Sequence, residues 1–85
     1  MRPLNYAILK YMTTVEKASA VDVVRELKPE YGKFKMLTED NVEDALMTAE
    51  SNSLLEEDGY DVDDNGKVTI YYKCIDPESI NKYIK

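Results

Sequence analysis

The stretch Gly59-Tyr60-Asp61-Val62-Asp63-Asp64-Asn65-Gly66-Lys67-Val68-Thr69-Ile70-Tyr71-Tyr72 constrains the fold more than any other part of the chain. Two runs of β-branched and aromatic residues flank an Asn-Gly pair, which is the strongest short-range hairpin signal. Register follows from faces, because a slip of one residue moves every side chain to the other side of the sheet. A two-residue Asn65-Gly66 loop would pair Val62 with Thr69 and Asp61 with Ile70, placing Asp61 among apolar residues. A three-residue Asp64-Asn65-Gly66 loop, with Gly66 in a G1 bulge, pairs Val62 with Val68, Asp61 with Thr69 and Tyr60 with Ile70. The second arrangement is expected, with Asp63 opposite Lys67 and Asp58 opposite Tyr72. Tyr60 and Tyr72 then belong to the core or half-buried side, and Tyr71 points from the outer face.

Helical signals precede the hairpin. Pro3 suits the first helical position, where its missing N–H is no loss. Leu4, Ile8, Tyr11, Met12 and Val15 follow with the spacing of a buried stripe, predicting a helix over 3–15. Ser19 and Asp22 form a capping box for a second helix over 20–28, with Val21, Val24 and Leu27 inward and Pro29 as its stop. The connection 14–18 leaves room for a turn or a small strand. Thr38 caps a third helix over 39–52, with Leu37 stapled on Val42 and an inner stripe of Val42, Ala45, Leu46 and Ala49. Asn52 is expected to take the left-handed turn that ends it. After the hairpin, 54–74, Asp76 and Pro77 open a short helix over 77–84 carrying Ile80, Tyr83 and Ile84 on one side. A helix of about eight residues is unstable alone in water, so it must dock on the first helix or on a second copy of the chain. In the second case Ile80, Tyr83 and Ile84 form a homodimer seam.

Length and composition narrow the chemistry. A chain of 85 residues fits one domain, 1–85, and is too small for a deep cleft. There is no histidine and a single cysteine, Cys74, which removes the commonest general base and the standard zinc sites. Ser19, Ser51, Ser53 and Ser79 have no histidine partner for a hydrolase triad, and Gly32, Gly59 and Gly66 are too scattered to cradle a phosphate. A non-enzymatic protein without a cofactor is expected. The longest apolar run, Tyr6-Ala7-Ile8-Leu9, serves neither as a membrane span nor as a signal core, which predicts a cytoplasmic protein that avoids membranes.

Three helices followed by a hairpin resemble the winged helix-turn-helix superfamily: an α+β fold with a three-helix core, a C-terminal hairpin wing and here a short final helix. The local match is Ala45-Leu46-Met47-Thr48-Ala49-Glu50-Ser51-Asn52-Ser53-Leu54-Leu55-Glu56, similar to the end of a recognition helix and the start of a wing, with Ser53 where members often carry glycine. The connection 29–37 is longer than the turn of a compact helix-turn-helix and leaves the angle between the second and third helices open. The resemblance implies that the start of the third helix would enter a DNA major groove.

The charge map opposes that use. Net charge is −6, and residues 1–37 hold seven basic and four acidic residues, whereas 38–85 hold four basic and thirteen acidic. Residues 38–66 contain eleven acids and no Lys or Arg. The helix dipole accounts for Glu39, Asp40 and Glu43 near an N-terminus, though not for the whole block. The expected role is therefore a regulatory module that meets a basic protein partner through Glu39, Asp40, Glu43, Asp44, Met47 and Tyr71. The alternative is a DNA-binding transcriptional regulator contacting phosphates through Lys28, Lys33, Lys35 and Lys67. A third reading comes from Asp61, Asp63 and Asn65 with Gly66, which match the first positions of a calcium-binding loop. Tyr72 stands where that loop needs a bidentate Glu, and Thr69 to Tyr72 is β-prone rather than helical, so the hairpin reading is preferred.

Overall fold

Local capping chemistry sets where most helices begin. In the computed structural model, which describes residues 2–84, α1 spans Leu4–Met12 and follows Pro3, whose carbonyl accepts from the Ala7 N–H at 3.0 Å. Pro3 is thus the residue before the first turn, one position earlier than expected. The helix ends three residues short of 15, because the hydroxyls of Thr13 and Thr14 bond back to the carbonyls of Lys10 and Tyr11, each at 2.7 Å. Val15, now outside the helix, still packs on the core.

The strand β1 (Ala18–Ser19) leads directly into α2 (Ala20–Tyr31). The capping box is formed: Ser19 Oγ accepts from the Asp22 N–H, and the Asp22 carboxylate accepts from the Ser19 N–H at 3.0 Å. Pro29 does not stop this helix but lies inside it. Its ring removes one backbone bond, and tertiary anchoring carries the helix past it. Tyr31 is 1% exposed, donates its hydroxyl to the Arg2 carbonyl at 2.6 Å and meets Phe34 edge-on. The inward face is also rotated from the expected one. Ala20 and Val23 are buried, Val24 and Leu27 are half-buried, and Val21 faces solvent.

Helix α3 (Glu39–Ser51) starts at Thr38, whose hydroxyl accepts from the Asn41 N–H at 3.2 Å. Its inner face is Val42, Leu46 and Ala49, with Ala45 half-buried beside them. At its end Ser53, not Asn52, takes the left-handed conformation, at φ +64°. The Leu54 N–H reaches the Ala49 carbonyl at 2.9 Å and the Ser53 N–H reaches that of Glu50 at 3.0 Å, the paired bonds of a Schellman motif.

Strands β2 (Leu55–Val62) and β3 (Val68–Cys74) form the hairpin, and β1 pairs on the far side of β3, giving an antiparallel sheet of order β1-β3-β2. The end of the hairpin has the three-residue turn. Val62 pairs with Val68, Asp61 with Thr69 and Tyr60 with Ile70, and Gly66 stands at φ +82°. Further down the register departs from expectation, since Glu57, not Asp58, pairs with Tyr72. Asp58 and Gly59 together oppose Tyr71, a bulge that Gly59 permits at φ +93°. Without it Glu56 and Asp58 would share the face of Tyr72. With it Leu55 takes that face and is 1% exposed.

The last helix, α4 (Pro77–Tyr83), is capped by Asp76 and packs on α1. The core gathers Ile8, Leu9 and Met12 of α1, Val23 of α2, Val42 and Leu46 of α3, Leu55 and Tyr72 of the sheet, and Ile80 of α4. Over the described residues the protein is thus a mixed α+β domain of four helices and one three-stranded sheet. No helix among the described residues is long and apolar enough to cross a membrane.

Candidate functional site

The helical repeat puts Glu39, Glu43, Met47 and Glu50 along one flank of α3, and the hairpin lies against that flank. Two contacts define the approach. The Tyr72 hydroxyl donates to Glu43 Oε2 at 2.9 Å, and Lys67, beyond the turn, places its ammonium 3.4 Å from Glu39 Oε1. Burial raises the Tyr72 phenol well above its ordinary range, and the Glu43 hydrogen bond and the charges of Glu43, Glu50 and Glu57 push it the same way. Glu43 thus bonds this hydroxyl at the junction of α3 and the sheet, and the charges of Glu50 and Glu57 reach it.

The six residues expected to share one face are divided. Glu39, Glu43 and Met47 stay on the hairpin side. Asp44 lines a separate groove of about 400 Å³ between α1, α3 and α4, walled by Leu4, Tyr6, Ala45 and Tyr83, and Asp40 lies one turn before Asp44, exposed. Tyr71 is on the opposite face of the sheet from Tyr72, as neighbours in a strand must be. There its hydroxyl donates to Asp61 Oδ2 at 3.0 Å and Lys17 sits over its ring. Sequence reasoning missed Glu50 and Glu57 as members of the site, and their signal lies in helical spacing from Glu43 and in the bulge.

Tyr60, expected in the core or half-buried, is 69% exposed. It shares the inner face of the hairpin with Val62 and Val68, also exposed, and with half-buried Ile70. An open groove of about 490 Å³ runs along Glu57, Gly59, Tyr60, Val68 and Ile70.

The remaining candidates fall elsewhere. Lys28, Lys33 and Lys35 are exposed at the end of α2 and in the connection to α3. Asp63 Oδ1 accepts from the N–H groups of Asn65 and Lys67, at 2.8 and 2.9 Å, and so closes the turn. A strand, not a helix, follows Asn65 and Gly66. Among the described residues no cluster of three Asp, Glu, His or Cys side chains is placed to hold a metal ion. Of the expected dimer seam, Ile80 is fully buried in its own chain, Ile84 is half-buried on the core, and exposed Tyr83 meets Tyr6 edge-on at 6.1 Å. Ile80 is thus unavailable to a second copy, because α4 uses it to dock on its own domain. Burial raises the Cys74 thiol, which leaves it a poor nucleophile.

Compared with protein-family models, curated proteins and solved structures, the chain matches none significantly. What it does must be read from its own surface.

Proposed function

We propose that this chain is a small, non-enzymatic, cytoplasmic winged-helix module that acts by protein contact, using the flank between α3 and the hairpin to bind a basic partner. The order of three helices followed by a hairpin, with a short strand between the first two helices, supports the winged-helix part. The observation that carries the functional part is the acidic flank itself: Glu43 bonded to the Tyr72 hydroxyl, Glu39 paired with Lys67, Glu50 on the same side of α3, and Glu57 opposite Tyr72 in the sheet.

In a DNA-binding member of that superfamily the start of α3 would lie in the major groove. A duplex carries one negative charge per roughly 1.7 Å of its axis. Carboxylates at Glu39, Asp40, Glu43 and Asp44 oppose such an approach. Of the four lysines that a DNA-binding alternative needs, Lys67 already pairs with Glu39. Titration of the isotopically labelled chain with a lysine-rich peptide and with a mixed-sequence duplex, followed residue by residue by NMR, tests the reading. Shifts at Glu39, Glu43 and Glu50 with the peptide are expected. Shifts at Lys28, Lys33 and Lys35 with the duplex, abolished by added salt, would overturn it in favour of nucleic acid.

A further inference from the structure

The hairpin carries an apolar strip that the fold leaves uncovered. Tyr60, Val62 and Val68 are 69%, 55% and 54% exposed, yet register places them on the same face as fully buried Leu55 and Tyr72. The inner face of the sheet thus continues past the edge of the core. Cross-strand pairing makes the strip continuous, Val62 beside Val68 and Tyr60 beside Ile70. On the facing flank of α3, Met47 is 49% exposed between Glu43 and Glu50. Glu57, which the bulge brings onto the inner face, lines the open groove along the hairpin with Tyr60, Val68 and Ile70.

We propose that this hairpin groove and the α3 flank beside it hold a cationic amphipathic segment of another protein, which covers Tyr60, Val62, Val68 and Met47 with apolar side chains and pairs Lys or Arg with Glu43, Glu50 and Glu57. The inference rests on the reading of this flank as a protein-contact face and specifies its partner. Interfaces place tyrosine and methionine at their centre and charge at their rim, which is the distribution here. Charge decides among occupants. A second copy would bring the same carboxylates against themselves, nucleic acid would bring phosphates, and an uncharged apolar segment would desolvate the carboxylates without a counter-charge. A cationic segment has none of these costs. The pairing already occurs once within the chain, where the Lys67 ammonium sits on Glu39 at the end of the flank.

The test uses the full chain and two synthetic peptides of about four helical turns, one with leucines at helical spacing on one face and lysines on the other, the second with serine in place of leucine and the same lysines. Binding is read by anisotropy of the labelled peptides, with a labelled mixed-sequence duplex as the third probe. The leucine–lysine peptide is expected to bind at least about tenfold tighter than its serine analogue. The variant Tyr60→Ser with Val68→Ser is expected to erase that difference, and Met47→Ser to reduce it; all three side chains are exposed, so a wild-type thermal melt is expected to verify each fold. Equal affinity for the two peptides, or a preference that survives the double variant, overturns the groove while leaving the acidic flank as a contact face. Tighter binding of the duplex than of either peptide, or no binding of any probe, overturns both.

Discussion

Replacing Ser53 by glycine should stabilise the protein. Ser53 stands at φ +64° as the turning residue that ends α3. A residue with a Cβ is disfavoured in that conformation by roughly 1–2 kcal/mol, whereas glycine adopts it freely. Glycine also widens the unfolded ensemble, which returns about 0.4–1 kcal/mol of that gain. Ser53 is exposed, and the bonds that close the turn, Leu54 N–H to Ala49 and Ser53 N–H to Glu50, are made by backbone, so the hydroxyl contributes little there. The net expectation for Ser53→Gly is a gain of about 0.5–1 kcal/mol, or roughly 3–6 °C in melting temperature for a domain of this size. Circular dichroism melts and urea titrations measure it directly. Ser53→Val, branched at Cβ, should move the midpoint the other way. An unchanged or lowered midpoint for Ser53→Gly, or a neutral Ser53→Val, would refute the strain argument.

Tyr31→Phe removes the hydroxyl that reaches the Arg2 carbonyl and should cost about 1–2 kcal/mol in urea; no change would show that α2 is carried past Pro29 by ring packing alone. The Ser19 backbone N–H, foremost among its partners, holds the Asp22 carboxyl below its ordinary range. A depressed folded value gives stability that is present above the unfolded value and lost as pH falls through the folded one, so the advantage of wild type over Asp22→Asn should be full at neutral pH and fade below about pH 4. An advantage independent of pH in thermal melts would contradict that linkage. The Tyr72 phenol has the opposite sign, being raised. Its contribution is present below the unfolded value and lost as pH rises past about 10, so Tyr72→Phe should lose less stability than wild type between neutral and alkaline pH, and an equal loss would argue against a protected phenol.

The parts of the fold that were legible in the amino-acid order are those decided by local chemistry. Ser19, Thr38 and Asp76 satisfy backbone donors within three residues of themselves, and the turn at Gly66 follows from which side Val62, Tyr60 and Ile70 must share. The misreadings arose where a distant contact overrode a local preference. Pro29 is a helix stop unless something beyond it is anchored, and Tyr31 is. The bulge at Asp58 and Gly59 exists because Leu55 has to reach the core, a demand invisible within the hairpin itself. The site was half legible for the same reason. An acidic block could be counted along the chain, but the division of its α3 residues between two flanks, and the projection of Tyr60, Val62 and Val68 beyond the core, depend on where the hairpin lies against the helix.

In the proposed reading, the flank of α3 and the hairpin selects a cationic protein segment and not nucleic acid. The most direct measurement is a competition: the labelled chain with the leucine–lysine peptide and a mixed-sequence duplex present together at equal concentration, observed by NMR. The predicted result is displacement of the resonances of Glu43, Met47, Glu50, Tyr60 and Val68, with Lys28, Lys33 and Lys35 unmoved. Movement of those lysines instead, reversed by added salt, would contradict it.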